Sequence, residues 1–148
     1  MTHLPGAIRI HGSCHCGNVT FDLDWKREGD TIAARACGCT FCVKHGGIWT
    51  SHPASSLRVR VRKPGDLTRY SFGTGTADFH VCRTCGAVPV VTSRIEGRLH
   101  AVVNVNTFDD VDRARVTVAP ASFDGEETAA RLERRQQNWI GDVSFEEA

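Results

Sequence analysis

Seven cysteines stand at positions 14, 16, 37, 39, 42, 82 and 85 of a 148-residue chain, and their spacing constrains the fold more than any other feature. They form three tight groups: Cys14-x-Cys16, Cys37-x-Cys39-x-x-Cys42 and Cys82-x-x-Cys85. An odd number argues against a disulfide framework. So does the opening MTHLPGAIRIHGSCHC, which lacks the basic segment and apolar run of an export signal. Thiols one or two residues apart converge on a point, which is how soft metals are gripped, and zinc is the default for such sulfur sites. Ordinary buried thiols are common in cores, but they would be scattered rather than clustered. A closed structural zinc takes four ligands, and a catalytic zinc takes three plus an open position. Seven divides as four and three. Cys14 and Cys16 pair naturally with Cys82 and Cys85, because each of these groups is followed by a glycine, Gly17 and Gly86. Cys37, Cys39 and Cys42 would then hold a second zinc with a vacant position. A single zinc, or another pairing of the groups, satisfies the same arithmetic.

Around the cysteines the chain reads as mainly β. Ile8–Ile10 enters the first group and Val19–Leu23 leaves it, both alternating with period two. Gly12 and Gly17 bracket a knuckle whose backbone N–H groups point at sulfur. A strand over Thr31–Ala36 delivers Cys37. Thr40–His45 forms a short helical turn ended by Gly46-Gly47. Leu57–Arg62 alternates strictly, which gives a strand with one basic face, and Lys63–Asp66 turns the chain. Further strands are expected over Leu67–Phe72 and Asp78–Cys82, joined across Gly73-Thr-Gly75. Ala87–Thr92 and Leu99–Val105 make a hairpin about Glu96-Gly97. From Asp124 to Asn138 a polar run has acids first and arginines later, as a helix dipole favours. Trp139-Ile140 could dock its end. No repeat or linker interrupts the chain, so one domain is expected over residues 1–148.

A net charge of +1 gives no global electrostatic case for binding nucleic acid or an anionic membrane. No stretch approaches the apolar length of a transmembrane helix. A cytoplasmic protein is the expectation, and exposed strand edges leave a homodimer open.

The residues Gly12-Ser-Cys-His-Cys-Gly17, Cys37-Gly-Cys-Thr-Phe-Cys42 and Cys82-Arg-Thr-Cys-Gly86 resemble the glutathione-dependent formaldehyde-activating enzymes, a family that includes relatives of centromere protein V. Val103–Asp110 is similar to the strand and acidic turn near that family's end, so the resemblance spans roughly residues 8–110. It implies a zinc-pinned, tent-like fold of several small antiparallel sheets with two zinc ions per chain. Cys14, Cys16, Cys82 and Cys85 match the structural site. Cys37, Cys39 and Cys42 match the catalytic one, in agreement with the four-and-three split. The implied activity is that of a carbon–sulfur lyase, an S-(hydroxymethyl)glutathione synthase, with glutathione as the thiol and formaldehyde as the electrophile. Two departures flank the catalytic cluster and bear on the substrate: Gly38 stands where His is common, and Val43 where a basic residue often follows the cysteine.

The chemistry agrees with the donor set. Zinc with three thiolates carries about one negative charge, a weak Lewis acid beside a three-histidine site. An incoming thiol is the better fourth ligand, since sulfur is soft and coordination deprotonates it. Arg58, Arg60 and Arg62 could meet glutathione carboxylates, although alternating charge is more often a solvated strand face. His45 completes a C-x-C-x-x-C-x-x-H spacing; it could close the second site, donate a proton beside it, or be a surface histidine before Gly-Gly. His80 shares a strand face with Cys82 and could support it; His15 should point to solvent, and Trp49 should be core. A deaminase is excluded because no H-x-E accompanies a P-C-x-x-C. A redox thiol protein built on Cys82-x-x-Cys85 lacks a βαβ setting. The competing reading is a non-catalytic, zinc-stapled β module that recognises protein or nucleic acid, supported by closure of the middle cluster by His45 and by the Arg58–Arg62 stripe.

Overall fold

The computed structural model describes residues 7–26 and 31–147, and residues 1–6, part of the opening read as lacking an export signal, lie outside it along with 27–30 and 148. Among the described residues, eleven strands form two sheets. The smaller contains β1 (Ala7–Ser13), β2 (Val19–Lys26), β5 (Ser56–Val61) and β11 (Asp142–Glu147), in the order β1-β2-β5-β11. The larger contains β3 (Ile32–Cys37), β4 (Ile48–Thr50), β6 (Leu67–Tyr70), β7 (Asp78–Cys82), β8 (Val90–Ile95), β9 (Arg98–Asn104) and β10 (Val116–Ala121). Its order is β10-β3-β4-β9-β8-β7-β6. Two α-helices, α1 (Thr40–His45) and α2 (Thr128–Asn138), and three single-turn 3-10 helices complete the architecture of the described residues. No helix among the described residues is long and apolar enough to cross a membrane.

The fold is mainly β, as the alternating segments predict. The sheets are fewer and larger than expected, and each is mixed. β10 runs parallel to β3, and β11 runs parallel to β5. Neither strand is announced by its sequence. β10 contains Pro120 and is exposed along most of its length; proline is tolerated there because an edge strand can leave one N–H side unpaired. β11 is polar apart from Val143 and Phe145, which pack against the core. The short β4 is likewise unannounced. α2 begins at Thr128 with Glu127 as its cap residue, so Asp124–Glu127 forms a turn before the helix instead of its acidic first turn. Trp139 and Ile140 are buried where α2 ends, and Ile140 pairs with Ala101 of β9.

Two apolar cores follow from the larger sheet being covered on both faces. Between the sheets lie Ile10, Val19, Phe21, Leu23, Leu57, Val59 and Val61 from the smaller sheet, with Val90, Ala101 and Val103 from the larger. On the other face of the larger sheet, Val91 and Val102 pack with Cys42, Trp49, Val88 and Trp139. β8 and β9 are therefore buried on both faces along most of their length, even at Thr92, Ser93 and His100, while β2 and β5 alternate because their second face meets water. That outer face carries the arginine stripe. Arg60 lies 3.1 Å from Asp22, and Arg58 lies 3.0 Å from Glu146 of β11.

Gly12 is needed for close approach, not for a knuckle turn. It pairs with Phe21 across the β1–β2 hairpin, and a Cβ built on it would lie 2.1 Å from Phe21 Cζ. Gly12→Ala should therefore destabilise the fold by about 1–3 kcal/mol through overpacking. Gly65→Ala, where a Cβ meets nothing, should stay within about 0.5 kcal/mol of the parent. Urea unfolding of the two variants measures the difference, and equal midpoints would contradict the packing argument.

Candidate metal centres and the adjoining pocket

The β1–β2 and β7–β8 connections meet at the seam between the sheets, and they use the same local geometry. In each, a cysteine N–H bonds to the carbonyl that closes the knuckle: Cys14 to Val19 at 2.9 Å and Cys82 to Ala87 at 3.0 Å. In each, the glycine N–H returns to the first cysteine's carbonyl: Gly17 to Cys14 at 3.1 Å and Gly86 to Cys82 at 2.8 Å. Both glycines are left-handed, at φ 83° and 82°, which a side chain would resist. The result places the sulfurs of Cys14, Cys16, Cys82 and Cys85 within 4.8 Å of one another. Cys14–Cys16 and Cys16–Cys82 are 3.7 and 3.4 Å apart. A tetrahedral zinc with bonds of about 2.3 Å has sulfur–sulfur edges of about 3.8 Å, so the set fits that ion.

A second set forms on the other face of the larger sheet. Cys37 ends β3, Cys39 caps α1 and accepts the Cys42 N–H at 3.4 Å, and Cys42 is buried in the helix. Their three sulfurs also lie within 4.8 Å of one another. Cys39 N–H donates to Cys37 Sγ at 3.5 Å, and Trp49 Nε1–H donates to Cys42 Sγ at 3.4 Å. α1 ends at the expected Gly46. Soft donors in threes and fours suit zinc, so both clusters could hold it.

Within each set one thiol is held down and another is pushed up. At Cys37, the hydrogen bond from the Cys42 thiol, helped by the Cys39 N–H, brings the thiol down to about 5, while the same contact and burial push Cys42 up. Burial pushes the Cys14 thiol up to about 12. Burial also opposes the anion at Cys85, but the Ala87 and Cys16 N–H groups and the Cys82 and Cys14 side chains outweigh it and bring Cys85 down to about 6.

The histidines stay outside both sets. His45 does not join Cys37, Cys39 and Cys42. It is not a surface group either: its ring is half-buried against Phe41, at 4.4 Å between centroids, and its Nε2 is buried without a partner. His80 is buried, as is Cys82, but it bonds Thr92 Oγ1 at 2.7 Å and packs on Phe145, touching no sulfur. Burial, with Arg69 nearby, brings it down to about 4. His15 is exposed, as expected.

A cavity of about 400 Å³ opens beside the three-cysteine cluster. All three of these cysteines line it. Trp49, Phe79, Val91, Val102 and Trp139 make its apolar floor, so Trp49 is both core and wall. Arg35, Arg131, Arg134 and Arg135 line the rest together with Phe123 and Asp124. Arg58, Arg60 and Arg62 are absent from this lining. The stripe that offered carboxylate binding thus lies on the other sheet, where Asp22 and Glu146 already neutralise two of its charges.

Sequence reasoning overlooked the pocket arginines, although their spacing carried a signal. Arg35 precedes Cys37 by two residues in one strand and shares its face. Arg131, Arg134 and Arg135 stand at i, i+3 and i+4 of α2.

The sequence signature described as "Glutathione-dependent formaldehyde-activating enzyme" matches residues 9–123, and the chain belongs to that family. A crystal structure of a Rhodobacter sphaeroides protein is similar at 35% identity with a TM-score of 0.56, over 74% of this chain and 99% of that one.

The two sulfur sets should respond differently to mutation. Cys16 and Cys82 are 66 positions apart, so a metal there would tie distant segments and supply folding free energy of about 10 kcal/mol. Cys82→Ala should unfold or precipitate the protein. Cys39→Ala should lose one metal per chain by elemental analysis yet keep the parent circular dichroism spectrum. Collapse of both variants would make the three-cysteine set structural as well.

Proposed function

We propose that this chain is a zinc-dependent carbon–sulfur lyase of the synthase type, which joins a thiol, glutathione or a close relative, to formaldehyde or a related small electrophile. The observation that carries this reading is the placement of Cys37, Cys39 and Cys42 in the wall of an apolar-floored cavity large enough for a small-molecule thiol. Family membership supports the same activity class. Cys14, Cys16, Cys82 and Cys85 would hold a structural zinc, and Cys37, Cys39 and Cys42 a catalytic one with an open position. Zinc in the three-cysteine set would supply deprotonation of the incoming thiol at neutral pH.

The chain's own groups organise that chemistry. Backbone N–H donors fix the sulfurs of Cys37 and Cys39, and the Trp49 indole fixes that of Cys42. These contacts would orient the three sulfurs for a bound zinc. The apolar floor excludes water from the reacting carbon, which favours sulfur over hydroxide as the nucleophile. In the forward direction the thiol sulfur bonds to the carbonyl carbon, and the proton released by the thiol ends on the new hydroxyl oxygen. The reverse direction breaks that carbon–sulfur bond.

The reading is tested by titrating zinc-loaded protein with glutathione and with the analogue that has Ser in place of Cys. Calorimetry in two buffers of different ionisation enthalpy reports proton release. Glutathione should bind at least tenfold tighter and release a proton, while the analogue should release none. With formaldehyde present, S-hydroxymethylglutathione should form faster than in free solution, and Cys39→Ala should abolish the acceleration. Equal affinity for the two ligands would refute the mechanism, because the sulfur would then not be held by the metal.

A further inference from the structure

The strand pair β3–β4 brings two side chains to the three-cysteine set. Arg35 and Trp49 are cross-strand partners, so they stand on one face of the larger sheet. Trp49 donates its indole N–H to Cys42 Sγ. Arg35 precedes Cys37 by two residues in the same strand and faces its sulfur. The guanidinium is held in place: its Nη2 donates to Ser51 Oγ at 3.2 Å, and that hydroxyl donates to the Asn138 carbonyl at the end of α2 at 2.9 Å. The other arginines of the pocket are engaged elsewhere. Glu126 pairs with Arg131 and Arg134, while Arg135 stacks on Trp139 and donates to Thr76 and Ser93. Among the described residues no carboxylate pairs with Arg35. Burial and the charge of Arg134 disfavour its cation, and the Cys37 sulfur favours it.

Zinc with three thiolates carries about one negative charge, and a thiolate as fourth ligand would make it about two. In a partly enclosed cavity the added anion is poorly screened, and it is costly unless a cation lies beside it. A guanidinium keeps its charge at any working pH, so it serves as a fixed counter-ion. We infer that Arg35 is a positioning residue of the proposed reaction: its charge offsets the three-thiolate set, so that the open position takes an anionic sulfur in preference to a neutral ligand. The inference rests on the thiol-activating reading above and deepens it. The two members of the β3–β4 pair then divide the task. Trp49 gives Cys42 a neutral donor, and Arg35 gives Cys37 a cation. The effect acts through the sulfur cluster, so it does not depend on any charge carried by the rest of the thiol.

The experiment uses full-length protein with cobalt in both sulfur sets, because the visible spectrum of cobalt reports a change of fourth ligand. Cys39→Ala should lack the response, which assigns it to the three-cysteine set. Two probes are titrated near neutral pH: 2-mercaptoethanol, which binds as a thiolate and carries no other charge, and imidazole, which binds as a neutral nitrogen. Arg35→Gln should weaken mercaptoethanol binding about tenfold and leave imidazole within about twofold of the parent. Arg35→Lys, which keeps the charge, should restore most of the loss. If Arg35→Gln does not fold, Arg35→Met, of similar length and no charge, takes its place with the same expected loss. A residue that only shaped the pocket would move both probes alike. Equal weakening of the two probes, or mercaptoethanol affinity untouched in the folded neutral variant, would overturn the inference and leave the thiol chemistry standing. A parent spectrum that responds to neither probe would show a set with no open position, and would overturn the reading beneath the inference along with it.

Discussion

Four sulfurs lying within 4.8 Å of one another cannot all be thiolates unless a cation sits among them, and this crowding at the seam of the two sheets is the constraint on which the rest of the structure depends. Two of the sulfurs come from the hairpin that begins the smaller sheet, and two from the end of β7 in the larger. The knuckles are matched hydrogen bond for hydrogen bond, although one has a single residue between its cysteines and the other has two. The inter-sheet core of Phe21, Leu23, Val59 and Val103 grows away from this seam. A 148-residue chain with two cores rather than one has less apolar burial in each, so a crosslink that fixes how the sheets meet has a large effect.

The second core gives the chemistry its place. Because the larger sheet is covered on both faces, β3 delivers Cys37 toward one cover while β8 and β9 carry valines into both. α1 is too short to be stable alone, and it is held by its cap on Cys39 and by the indole of Trp49 on Cys42. The last turn of α2 and Trp139 close the other side of the cavity. The tail is thus part of the pocket wall, and its parallel strand β11 anchors the chain back in the smaller sheet.

Charge is distributed between the two sheets by the same logic. On the outer face of the smaller sheet, cross-strand partners neutralise Arg9, Arg58 and Arg60, as suits a surface facing water. In the pocket, a single glutamate serves Arg131 and Arg134, while Arg135 stacks on Trp139. The basic stripe that looks most eye-catching in the sequence is therefore the quieter one chemically. This weakens the case for a binding module, which relied on that stripe and on His45 closing the three-cysteine set, a set that His45 does not join.

Much of this was legible in the residues. The period-two runs at Val19–Leu23 and Leu57–Arg62, the helical turn stopped by Gly46, the hairpin about Glu96-Gly97 and the glycine after each outer cysteine group are local statements, and local sterics enforce them wherever the chain lies. The identities and order of the seven cysteines likewise determined that sulfur would be the donor. Only the tertiary structure decided which sulfurs converge, which arginines find a carboxylate, and that β10 and β11 join the sheets in parallel. Arg58 meets Glu146 at a separation of 88 positions, and Arg135 meets Ser93 at 42. Such pairings are set by how sheets and tail pack, and the net strength of a charge depends on the partners and water it meets there, so no pattern within a few residues of Arg58 or Arg135 could reveal which partners they meet.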